Sequence, residues 1–98
     1  IDKELCKINL NKTAEEIVRL IKGLSPYPGA KLNFENKNYK IIDCKKSDVN
    51  YSNKRIMFVE NNKLYFNNFK NESIEILELQ AEGKKIMKSS DFLRGNKL

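Results

Sequence analysis

Histidine is absent from this 98-residue sequence. That removes the side chain whose unperturbed pKa lies nearest neutrality, so a general base would have to be a perturbed carboxylate, lysine or cysteine, and no spacing marks one out. Catalysis by the chain alone is therefore not expected. Tryptophan is absent too, and cysteine is limited to Cys6 and Cys44, which are far apart. Neither a metal-ligand spacing nor a redox pair results, so both are read as reduced thiols, with Cys44 a core filler in an expected strand. The glycines at 23, 29, 83 and 95 are isolated, which excludes a phosphate-cradling loop of the P-loop or dinucleotide type. No apolar run approaches the roughly 18–20 residues of a membrane span, and no basic segment followed by an apolar one opens the chain. The first residue is Ile1 rather than Met. The expectation is a piece of a longer cytoplasmic protein, with no metal, no membrane partner and no cofactor of its own.

What the chain does have is positive charge, a net +6. Attraction to a phosphate polyanion follows as a salt-sensitive, long-range effect. Lysine far outnumbers arginine, and asparagine and isoleucine are abundant, a composition that A/T-rich coding also produces, so clustering is the better guide. Lys37, Lys40, Lys45 and Lys46 face only Asp43, while Lys84, Lys85, Lys88, Arg94 and Lys97 face only Asp91 beyond Gly83. Lys37, Lys40, Lys45, Lys46, Lys84, Lys85, Lys88 and Arg94 are the candidate phosphate-binding residues. Tyr27, Tyr51 and Tyr65 are candidate stacking surfaces for bases.

The hydrophobic period changes once along the chain. Residues 1–12 alternate weakly through Leu5, Ile8 and Leu10 and read as the end of an interdomain linker that packs through a few side chains, leaving 13–98 as the domain. Thr13-Ala14-Glu15-Glu16 fits a capping box. Ile17, Leu20, Ile21 and Leu24 follow at helical spacing, Gly23 offers a stop, and Pro26 and Pro28 forbid continuation. From Ala30 the period is 2: Leu32 and Phe34, a turn at Asn36-Lys37-Asn38, then Tyr39, Ile41 and Asp43 on one face. Residues 47–53 read as a loop. Ile56 to Val59 and Leu64 to Phe66 form a second hairpin about Asn61-Asn62-Lys63. Residues 73–80, apolar on both faces, should be the central strand. Ile86 and Met87 return to the core, and Ser89 or Ser90 can cap a last helical turn ended by Gly95. The fold class is mainly β with an N-terminal helix, a small closed or partly open barrel.

Two blocks carry a resemblance. Residues 11–30, ending in Ser25-Pro26-Tyr27-Pro28-Gly29-Ala30, resemble the helix and bend that open the C-terminal domain of formyltransferases. The run Gln80-Ala81-Glu82-Gly83-Lys84-Lys85-Ile86-Met87, followed by Asp91-Phe92-Leu93-Arg94-Gly95, is similar to the end of the methionyl-tRNA formyltransferases. The first block is shared with sugar-nucleotide formyltransferases, so a buttressing domain with no nucleic-acid role is the alternative. Tyr27 and Ile42 stand where tryptophan is common, and Lys70-Asn71-Glu72 replaces a usual Gly-Asp-Gly turn. The resemblance implies an open Greek-key barrel akin to the oligonucleotide-binding fold, which would position initiator methionyl-tRNA for an N-terminal catalytic domain. That domain would bind 10-formyltetrahydrofolate and transfer its formyl group to the methionine amine, leaving the 98 residues inactive alone.

Overall fold

The structure, a computed structural model, describes residues 3–52 and 54–96. The Lys97 end of the second basic run and Asn53 of the expected loop lie outside the described residues. A 3-10 turn at Lys3–Cys6 precedes helix α1 (Ala14–Leu24). Strands β1 (Ala30–Phe34), β2 (Lys37–Lys46), β3 (Met57–Glu60), β4 (Lys63–Asn67), β5 (Ser73–Ala81) and β6 (Ile86–Lys88) follow, and helix α2 (Ser89–Gly95) ends the described chain.

The capping box forms as the residues dictate. The Glu16 amide donates to Thr13 Oγ1 at 3.2 Å and the Thr13 amide to Glu16 Oε1 at 3.1 Å, satisfying two amides that lack helical partners. The buried stripe is Ala14, Ile17 and Ile21, with Val18 and Leu24 partly buried against the same core; Leu20 lies off it. Gly23 does not act as the stop. It sits inside α1, which ends because Pro26 supplies no amide and Ser25 turns extended. Leu5, expected to pack, is 68% exposed, whereas Ile8 and Leu10 do pack on the core.

The sheet is antiparallel in the order β1-β2-β5-β4-β3, with β6 also on β5. The hairpins β3-β4 and β4-β5 run consecutively and β2 lies beside β5, which is a Greek-key order. β5 is the centre: one of its edges carries β2 along residues 74–81, the other carries β4 along 73–76 and then β6 along 78–80. Continuous burial from Ser73 to Ile76 matches a strand covered on both faces. Both tight turns are two-residue, at Glu35-Asn36 and Asn61-Asn62, with all four residues at positive φ as a type I′ turn requires. The first turn thus precedes Lys37 and Asn38, which belong to β2.

β2 changes face midway. Register slips between Ile41 and Cys44 against β5, so Ile42 is buried as well as Ile41, and the alternation resumes at Cys44. Asp43 is therefore not on the Tyr39–Ile41 face. It is half-exposed, its Oδ1 accepting from the Cys44 amide at 2.9 Å and lying 3.6 Å from Lys22 Nζ on α1. α1 covers β2 over this stretch, and α2 packs on β4, β5 and β6. Phe92 of α2 meets Tyr39 edge-on at 6.0 Å. Of the return segment, Met87 leans on the core but Ile86 is 44% exposed. The serines do not cap α2: Lys88 occupies the cap position without a side-chain bond.

The aperiodic loop after β2 is held by polar contacts. The Tyr51 amide donates to Ser73 Oγ at 2.9 Å, Ser73 Oγ to Asn67 Oδ1 at 2.6 Å, and Asn67 Nδ2 to the Tyr51 carbonyl at 2.6 Å. Burying these groups costs little because each is paired, and among the described residues no buried side-chain polar atom lacks a partner.

Candidate nucleic-acid interface

Cross-strand register decides which basic residues meet. Lys31 of β1 pairs with Lys40 of β2, Lys40 with Gln80 of β5, and Gln80 with Ile86 of β6. Directly opposed residues share a face, and the neighbours Leu32, Tyr39, Ile41 and Leu79 are core, so this row points outward. The next row holds Glu78 opposite Lys88. A groove of about 230 Å³ runs along the first row, lined by Lys31, Asn38, Lys40, Gln80, Glu82 and Gly83.

The turn that closes this groove explains the Gln-x-x-Gly-Lys-Lys spacing. The Lys84 amide donates to the Ala81 carbonyl at 3.0 Å, closing a four-residue turn, and Gly83 at its third position has φ +74°. Only glycine adopts that angle without cost. Gln80 Nε2 then reaches across to the Lys84 carbonyl at 2.8 Å, so the glutamine braces the turn that presents Lys84 and Lys85 to solvent.

On the opposite flank the Pro-Tyr-Pro-Gly bend abuts Lys40. Gly29 has φ +84°, and a Cβ there would stand 3.1 Å from Lys40 Cδ. The bare glycine lets the Lys40 stem lie along the bend and carries its ammonium to 5.8 Å from the Tyr27 ring centroid. Tyr27 itself is 82% exposed.

The eight predicted residues therefore part company. Lys40, Lys84, Lys85 and Lys88 belong to the outward face or its closing turn. Lys37 does not: it sits with Phe34, Tyr39, Arg55 and Phe92 beside α2, around a separate groove. Lys45 is 3.7 Å from Glu75, its partner across the β2-β5 ladder. Lys46, near the same end of β2, adds to the lowering of the Glu72 pKa, behind the larger effects of hydrogen bonds from Asn68 and from the Ala14 amide. Arg94 pairs with Asp91 one helical turn back. Lys31, absent from the predicted set, is the addition. Alternation in β1 already put it on the polar face, but only the register shows that it stands beside Lys40.

The tyrosines divide similarly. Tyr65 is buried in a ring cluster with Tyr51 at 5.2 Å and Phe58 at 5.6 Å, and burial pushes its hydroxyl pKa up to about 12. Tyr65 therefore offers no open ring face, whereas the Tyr27 ring is exposed. Neither cysteine is in a disulfide and both are buried. Burial raises the Cys44 thiol to about 12, which suits a core filler and leaves no thiolate near neutral pH. Among the described residues no cluster of acidic or cysteine side chains could hold a metal ion, and no helix is long and apolar enough to cross a membrane.

The chain belongs to the formyl transferase C-terminal domain family, whose model covers residues 1–97. Relatives named methionyl-tRNA formyltransferase match it at 39% identity in Azobacteroides pseudotrichonymphae and 37% in Agathobacter rectalis, over 98% and 97% of the chain. The chain spans about a third of the length of these relatives. HypX from Aquifex aeolicus, solved in complex with tetrahydrofolic acid, shares the fold at a TM-score of 0.74 and 10% identity, over 95% of this chain and 17% of that one.

Proposed function

We propose that this domain is the tRNA-positioning, non-catalytic part of a cytoplasmic methionyl-tRNA formyltransferase. Its partners are initiator methionyl-tRNA and the protein's own catalytic domain, in which a formyl group passes from 10-formyltetrahydrofolate to the methionine amine. The observation that carries this reading is the outward row Lys31–Lys40–Gln80, flanked by Lys88 and by the turn bearing Lys84 and Lys85. Relatives with the matching name over nearly the whole chain support it. Lysines suffice for such a role because phosphate contacts set position and register while reading no sequence.

Among the residues lining the outward groove only Ala81 is apolar and none is aromatic, so we assign formyl-donor binding to the catalytic domain and no chemical step to these residues.

The test separates the paired cations from the grouped ones. Lys31→Gln with Lys40→Gln should weaken tRNA binding and lower the salt slope by roughly two, about one for each phosphate no longer neutralised. Lys45→Gln with Arg94→Gln, which removes cations already matched by Glu75 and Asp91, should leave affinity within about twofold, since a cation neutralised by a neighbouring carboxylate adds little to the field that attracts phosphate. Equal affinities in the two double variants, measured by titration of labelled tRNA, would return the domain to a buttressing role.

A further inference from the structure

We infer that Tyr27 is a stacking platform for one unpaired nucleotide of RNA, with Lys40 and Lys31 holding the phosphates on either side of it. The inference rests on the tRNA-binding reading above and assigns to it a ring that the lysines alone do not explain. Aromatic side chains are usually placed where their area is covered, yet Tyr27 is 82% exposed. It lies between Pro26 and Pro28, whose fixed φ angles leave the bend few ways to relax. The backbone that carries the ring therefore has little conformational entropy left to lose on binding.

The surroundings select the ligand. Lys40 lies over one face of the ring at 5.8 Å, and its stem is seated against Gly29, so a positive charge is held over that face while the ring as a whole remains open to solvent. The register then adds Lys31 directly beside Lys40. A flat base on the ring and phosphates against two ammonium groups satisfy all three side chains together. A duplex cannot use the ring, because its bases are already stacked on one another. A single-stranded or looped segment can. An acidic peptide would satisfy the lysines but leave the ring bare.

The sequence contains no tryptophan, so Tyr27→Trp places a unique fluorophore at the site. The 98-residue chain is titrated at low salt with a single-stranded RNA dodecamer and with a blunt RNA duplex of the same length. Tyr27→Ala should weaken single-strand binding by roughly 5- to 100-fold, the size of one base–aromatic stack, and should leave duplex affinity within about twofold. Tyr27→Phe should bind as the parent does, and the emission of the Y27W chain should be quenched by the single strand and not by the duplex. Single-strand affinity indifferent to Tyr27→Ala, equal losses for both RNAs, or unquenched emission on binding overturns the stacking inference and leaves phosphate binding standing. If neither RNA nor tRNA binds at low salt, the tRNA reading fails and this inference falls with it.

Discussion

At the scale of single residues, glycines and asparagines fix where the functional groups stand. Gly83 has open space around the position of a Cβ, so its requirement is conformational: φ +74° in the turn that carries Lys84 and Lys85. Gly83→Ala is therefore expected to cost about 1–2 kcal/mol, the penalty of an L-residue held in the left-handed region. That corresponds to a melting temperature lower by roughly 4–15 °C in a domain of this size, measured by thermal denaturation. A Gly83→Asn variant should recover part of the loss, because asparagine tolerates that region; Asn36, Asn61, Asn62 and Asn71 already occupy it elsewhere in the chain. An alanine variant as stable as the parent would show that the turn is not held in this geometry. Such turn chemistry is readable in the sequence at Asn61-Asn62 and Gly83. It is misleading at Asn36-Lys37-Asn38, where Glu35 rather than Lys37 joins Asn36 in the turn, because glutamate carries no signature for positive φ and only the strand register forces it there.

At the scale of elements, helix α1 is tied to the sheet by a contact that local sequence does not announce. Glu72, in the turn between β4 and β5, accepts from the Ala14 amide at 3.0 Å and from Asn68 Nδ2 at 2.8 Å, and Asn68 Nδ2 also donates to the Lys12 carbonyl at 2.9 Å. With the Phe69 amide on the Leu10 carbonyl, these bonds fasten the segment before α1 to the far end of the sheet. They hold the Glu72 carboxyl below its ordinary 4.5, first through Asn68 and then through the Ala14 amide. The Glu16 carboxyl is likewise held down, first by the Thr13 amide and then by its hydroxyl. Because both folded values are depressed, the stability these groups contribute is complete above the unfolded carboxylate range and is lost as pH falls from there through the lower folded values. Glu72→Gln should lower stability by about 1 kcal/mol at pH 7, the difference between hydrogen bonds to a charged and to a neutral acceptor. Its stability should also fall less steeply than the parent's below pH 4.5, as followed by denaturant midpoints across pH. A parallel decline in both would remove Glu72 from the account. Helix α1 itself is legible from Thr13, Glu16 and the prolines. Its true stripe is less so: Val18 rather than Leu20 packs on the core, a rotation set by tertiary packing that a single sequence does not show.

At the scale of the whole molecule, alternation marks each strand and the central place of β5, while charge clustering along the chain is a poor guide to charge clustering in space. Lys37 and Lys40 are close in sequence yet fall on opposite sides of β2, and Lys45 and Lys46 lie past the bulge beside Glu75 and Glu72. Lys31 and Lys40, distant in sequence, become neighbours through one hairpin. Of the half of the predicted set that stays together, Lys84, Lys85 and Lys88 do so because β5, β6 and the intervening turn are one continuous hairpin, and Lys40 joins them through the β2-β5 register. The face so formed carries Lys31, Lys40, Lys84, Lys85 and Lys88 against Glu78 and Glu82, an excess of positive charge on one side of a molecule whose net charge is +6. The most direct test is the affinity of the 98-residue chain for initiator tRNA across a series of salt concentrations. The account predicts log affinity falling linearly with log salt at a slope of roughly −2 to −4.5, as for about three to five phosphates neutralised at about 0.7–0.9 each. Binding that is absent at low salt, or that is present and indifferent to salt, would contradict it.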